Sequence, residues 1–93
     1  MGNIYFSLIN NTNAKKHIEN IKNLIQNKDA ALDVRGEENS PLIFIDIESH
    51  YNFISYIRRN SSSGLELVIC EKNNSYNMVD IPMKDIESVY CLD

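Results

Sequence analysis

Apolar and polar positions alternate along "NIYFSLI" (residues 3–9), a stretch rich in β-branched and aromatic side chains, and this period of two predicts a strand. From Ala14 to about Asn27 the period changes. Ala14, Ile18, Ile21, Leu24 and Ile25 fall on one helical stripe, while Lys15, Lys16, Glu19, Lys22, Asn23 and Gln26 occupy the other face. The stripe predicts an amphipathic helix, with Thr12 or Asn13 as its N-cap. "AALDV" (30–34) reads as a short strand and "RGEENSP" as a polar turn. "PLIFIDIE" (41–48) is nearly continuous in apolar residues and predicts a central strand.

After Ser49, a capping residue, Phe53, Ile54 and Ile57 recur at helical spacing until Asn60, which predicts a second helix. "SSSG" follows as a flexible loop. "LELVICE" (65–71) and "YNMVDI" (76–81) predict a hairpin, Pro82 ends it, and "IESVYCL" (86–92) supplies a last strand. The expected order is β-α-β-β-α-β-β-β. It implies an α+β domain spanning residues 1–93, with a mixed or antiparallel sheet of about five strands and both helices on one face.

Alternation also sorts side chains between faces. Ile43, Ile45 and Ile47 oppose Phe44, Asp46 and Glu48. Leu65, Leu67 and Ile69 oppose Glu66, Val68 and Cys70, and Val79 and Ile81 oppose Met78 and Asp80. If the wholly apolar rows meet the helices, the bare face interleaves carboxylates with Phe44, Val68 and Met78.

Charge reinforces this layout. At 93 residues, 43% hydrophobic and 24% charged, the chain has the composition of one globular domain. Its net charge is −4, which counts against nucleic acid and anionic membrane surfaces as partners. The sign is uneven. Residues 1–28 carry four lysines against Glu19, whereas 29–48 carry six acids against Arg35 alone. Thirteen asparagines and thirteen isoleucines point to an AT-rich gene. The start "MGNIYFSLIN" lacks a basic leader, Phe6 breaks a myristoylation pattern after Gly2, and no apolar run is long enough to span a bilayer. Two cysteines, Cys70 and Cys91, form neither a disulfide framework nor a zinc cluster, so a reducing cytoplasm is the expected compartment.

"IFIDIESHYNFISYIRR" (43–59) holds the densest candidate chemistry. If residues 46–50 stay extended, Asp46, Glu48 and His50 share one strand face, successive side chains about 6.6–7 Å apart. A metal ion needs donors converging from about 2.0–2.2 Å, and three ligands in a row converge poorly. A strand running into a capped helix uses more of these residues, with Glu48 near the helix N-terminus and Arg58 and Arg59 near its C-terminus. No metal, cofactor or catalytic residue is therefore expected. His17 reads as structural, Cys70 has no neighbouring base, and "SSSGL" lacks phosphate-loop spacing.

These observations predict a small, acidic, cytoplasmic inhibitory binding protein. The class that fits best is an immunity protein or antitoxin that plugs the basic active site of a nuclease toxin, since sites that bind phosphate are cationic. The expected contact residues are Phe44, Asp46, Glu48, Glu66, Val68, Met78, Asp80 and Glu87, with Glu37, Glu38, Tyr51 and Tyr56 as secondary candidates. The alternatives are a phage-type anti-defence inhibitor, a small metal-binding or enzymatic domain built on Asp46, Glu48 and His50, and a self-associating module.

Overall fold

The computed structural model describes residues 2–25, 32–49, 54–62, 64–71 and 74–92. Along the chain run β1 (Gly2–Ile9), α1 (Ala14–Ile25), β2 (Leu32–Arg35), β3 (Leu42–Ser49), β4 (Ile54–Ser61), β5 (Gly64–Glu71), β6 (Asn74–Pro82), a single 3-10 turn (Met83–Asp85) and β7 (Ile86–Leu92). The α+β class holds, but the strands divide between two sheets. One has four strands in the order β2-β3-β1-β7, the other three in the order β4-β5-β6, and every pairing is antiparallel.

The second helix expected after Ser49 is not formed by the described residues. Residues 54–61 instead pair with β5 from Ile54 opposite Glu71 to Ser61 opposite Gly64. The stretch "ISYIRR" is rich in β-branched and aromatic residues, and so short an apolar run fits a strand as well as a helix. What decides is the turn. β4 and β5 form a hairpin in which Ser61 pairs with Gly64, whose φ of +116° is a conformation that glycine adopts at little cost. Once that turn closes, β5 provides a ladder for 54–61 that a helix would forgo. Arg58 and Arg59 therefore stand on a strand and do not end a helix.

In the four-stranded sheet, β1 lies between β3 and β7, and β2 lies outside β3. The β1-α1-β2 unit is thus a split crossover with β3 slotted into the gap. One side of this sheet carries Ile4, Phe6 and Leu8 of β1, Ile45 and Ile47 of β3, and Ile86 of β7. Against it pack Ala14, Ile21, Leu24 and Ile25 of the helix, together with Leu67, Ile69, Val79 and Ile81 of the second sheet, in one continuous core. Full burial of one such Phe, Leu or Ile side chain contributes about 1.5–3 kcal/mol. Of the helix stripe read from the sequence, Ala14, Ile21, Leu24 and Ile25 are buried and Ile18 is partly buried, and His17 joins them.

The N-terminus of α1 is organised by asparagines. The Asn11 side-chain oxygen accepts from the Asn13 amide (2.9 Å), and the first helical bond runs from the His17 amide to the Asn13 carbonyl (3.0 Å). The first helical turn holds no acid of its own. Asp85 of the 3-10 turn supplies one: its carboxylate accepts from His17 Nε2 (2.9 Å), Asn11 Nδ2 (3.3 Å) and Asn13 Nδ2 (3.5 Å). This places a negative charge at the positive end of the helix and ties α1 to the entry of β7. Among the described residues, no helix is long and apolar enough to cross a membrane.

Candidate functional site

The side of the four-stranded sheet that faces away from the core is built by alternation in all four strands. In register across it, Asp33, Asp46, Tyr5 and Tyr90 form one row, and Arg35, Phe44, Ser7 and Ser88 form the next. Tyr5 and Phe44 stack with their rings 6.0 Å apart and 10° from parallel, and Tyr5 meets Tyr90 at 5.1 Å with a 38° tilt. Three aromatic rings thus run side by side across β3, β1 and β7. None belongs to the hydrophobic core, and Tyr90 is 45% exposed. Ser7, on the strand between Phe44 and Ser88, is buried.

Charge borders the rings on one side. The Arg35 guanidinium lies 5.7 Å from the centre of the Tyr5 ring, and Arg35 Nε donates to Asp33 at 3.2 Å. Glu48 is exposed and Asp46 half-buried. One oxygen of Asp46, Oδ1, is enclosed by protein and accepts no hydrogen bond. Asp33 and Asp46 sit directly opposite each other on paired strands, an arrangement of like charges that weakens a sheet.

Of the eight expected contact residues, Phe44, Asp46 and Glu48 lie on this face. Glu66, Val68, Met78 and Asp80 belong to the outer side of the three-stranded sheet. There Arg59 donates from Nε to Glu66 (2.6 Å) and from Nη2 to Asp80 (3.1 Å), so one guanidinium bridges both acids within the sheet. The bond to Glu66 holds the Arg59 guanidinium above its ordinary pKa. Met78 is 43% exposed, but Val68, on the central strand, is only 1% exposed and presents almost no surface. Glu87 is exposed on β7, beside the register shift where Ile86 comes opposite Leu8. The expected single acidic face is therefore two faces, since the strands that carry it close into separate sheets.

Glu37 and Glu38 occupy the exposed β2–β3 turn, where Asn10 Nδ2 donates to the carbonyls of Glu38 (3.3 Å) and Ser40 (2.7 Å). Tyr56 lies on β4, and Tyr51 and His50 fall outside the described residues. Asp46 and Glu48 do share a strand face, yet the described residues contain no group of three His, Cys, Asp or Glu able to hold a metal ion.

Tyr5, Arg35 and Tyr90 were not among the expected contact residues. The signal was present in the sequence: Tyr5 alternates with Ile4 and Phe6, and Tyr90 with Val89. It becomes readable only when both strands are known to flank β3 in one sheet.

His17 and Asp85 form the one buried acid–histidine pair among the described residues. The bond from His17, reinforced by the two asparagines, holds the Asp85 carboxyl below its usual pKa and so keeps it ionised. His17 Nε2 accordingly carries a proton. The other ring nitrogen, Nδ1, is buried without any partner. The pair joins the first turn of α1 to the 3-10 turn before β7 and so acts as a structural clasp. Comparison of the chain with family models, with curated proteins and with solved structures found no match.

Proposed function

We infer that this chain is a protein-binding domain that acts in the cytoplasm and docks its partner on the core-distant face of the four-stranded sheet. The supporting observation is the aromatic row Phe44–Tyr5–Tyr90, bounded by Asp33, Asp46 and Glu48. Aromatic anchors beside charged groups are the composition of interface centres, where the rings supply affinity and the charges steer encounter. The acidic border suits a basic partner. The biological class that fits is an inhibitory binder, an antitoxin or immunity protein that occludes a cationic nuclease site. An anti-defence inhibitor would use the same chemistry against a nucleic-acid-binding complex.

The test is capture from the source cell with the tagged full chain, alongside a Phe44→Ala variant and a Met78→Ala control on the other sheet. A basic protein should be retained by the wild type and by Met78→Ala but lost by Phe44→Ala. Restored activity of that protein when it is freed would establish inhibition. Equal capture by Phe44→Ala would overturn the assignment of the face.

A further inference from the structure

We propose that the recognition element on the partner is an arginine side chain, whose guanidinium lies along the Tyr5–Tyr90 rings and donates to Asp46. This rests on the protein-binding reading above and specifies its chemistry.

Asp46 Oδ1 is enclosed yet accepts nothing within the described chain, and an acceptor withheld from both water and a donor is costly. Its register neighbours offer no remedy, because Asp33 on one side is a second carboxylate and Tyr5 on the other presents a ring to Phe44 and Tyr90. Oδ1 is closed to a partner as well as to water, but a cation seated beside the Asp46 carboxylate offsets the opposed charges of Asp46 and Asp33. The face itself shows what kind of cation fits. Arg35 already combines the two contacts required, a guanidinium over Tyr5 and a bond to Asp33, on the β2 side of the row. The β7 side repeats the aromatic element with Tyr90 at 45% exposure, and no described cation stands over it.

Charge favours the same occupant. Among the described residues, Arg35 is the one base on this face against Asp33 and Asp46, so these groups carry net negative charge and repel phosphate. Stacking bases of a single strand would use the rings but bring phosphates against the carboxylates. Arginine is preferred over lysine because its planar group stacks on an aromatic face while its fork of donors reaches a carboxylate. An ammonium is a compact, more strongly hydrated point charge that cannot stack.

The experiment titrates isotope-labelled full chain with three probes: the peptide (Gly-Arg)3, its lysine counterpart (Gly-Lys)3, and single-stranded oligo-dT. The arginine peptide should shift the Tyr5, Phe44, Tyr90 and Asp46 resonances and bind at least about fivefold more tightly than the lysine peptide. Asp46→Asn, which keeps the side-chain shape, should weaken the arginine peptide about tenfold, and Glu66→Gln on the other sheet should not. Equal affinity for the two peptides, indifference to Asp46→Asn, or binding of oligo-dT on these same resonances would each overturn the proposal. The outcome is separable from the reading beneath it. If Phe44→Ala abolishes partner capture while Asp46→Asn leaves it intact, the docking face stands and the arginine assignment fails. If Phe44→Ala leaves capture intact, the docking face itself fails.

Discussion

Glu66 and Asp80 on the three-stranded sheet, and Asp33 and Asp46 on the four-stranded sheet, are the same chemical groups held in opposite ways. On the smaller sheet, Arg59 reaches across from β4 and satisfies both acids, and the nearby Val68 is sealed. Both carboxylates there have a donor from the chain itself. On the larger sheet, Arg35 satisfies Asp33 while Asp46, directly opposite, keeps an enclosed oxygen without a donor beside three rings outside the core. Acidity by itself therefore says little about where a protein binds. What separates the two surfaces is whether each carboxylate has a donor within the chain, because an internal ion pair leaves little for a partner to gain.

Both surfaces rest on one core, and the comparison breaks first if they do not. Phe6→Ala, which empties the centre of β1 beneath the aromatic row, should cost about 3–5 kcal/mol. Urea denaturation followed by tyrosine fluorescence and by circular dichroism should show coincident transitions, as expected for one cooperative unit. Separate transitions for the two sheets would mean that their surfaces belong to independent bodies.

The clasp between α1 and the 3-10 turn should have the next largest effect. Asp85→Asn removes the ionised acceptor from His17, Asn11 and Asn13 and should destabilise by about 1–3 kcal/mol. The pH dependence follows from the direction of the Asp85 shift. A carboxyl whose pKa is lowered by folding stabilises the native state above its unfolded value, about 3.9, and that stabilisation is lost as pH falls through the lower folded value. Melting curves between neutral pH and pH 2 should therefore decline less steeply for Asp85→Asn than for the wild type.

The smallest stability effects are the most discriminating. Arg59→Ala should lower the melting temperature slightly, by an amount that shrinks with added salt, since it strips the counter-ion from exposed Asp80 and partly buried Glu66. Asp46→Asn should leave the melting temperature unchanged or raise it, because it removes a charge opposed by Asp33. In partner capture the order should reverse, with Asp46→Asn impaired and Arg59→Ala intact. A destabilising Asp46→Asn would make Asp46 a structural residue and erase the contrast.

Much of the fold could be read from the chain. The helix stripe Ala14–Ile25 and the strands over 3–9, 41–48, 65–71, 76–81 and 86–92 follow from side-chain period alone, because each buries one face against the same core. The stretch 54–61 could not be read that way. Its apolar residues suit two periods, and the choice was made by the ladder to β5, which ends where Ser61 pairs with Gly64 and lies with sequence beyond it. The binding face was legible in part for a related reason. Phe44, Asp46 and Glu48 show their side by alternation, but their neighbours Tyr5 and Tyr90 come from strands at opposite ends of the chain. Likewise Arg59 could be recognised as the counter-ion of Asp80 only once β4, β5 and β6 were known to lie side by side.

The position of β1 between β3 and β7 has a consequence for how the chain reaches this shape. Asn3 stands opposite Leu92, so of the seven strands among the described residues the earliest synthesised is completed by the latest. Until β7 leaves the ribosome, one edge of β1 has no ladder, and Ile4, Phe6 and Leu8 lack part of their cover. Contacts so distant in sequence place folding in the slow regime, milliseconds to seconds, rather than the microseconds of helical bundles. The nascent chain is most exposed to aggregation during that wait.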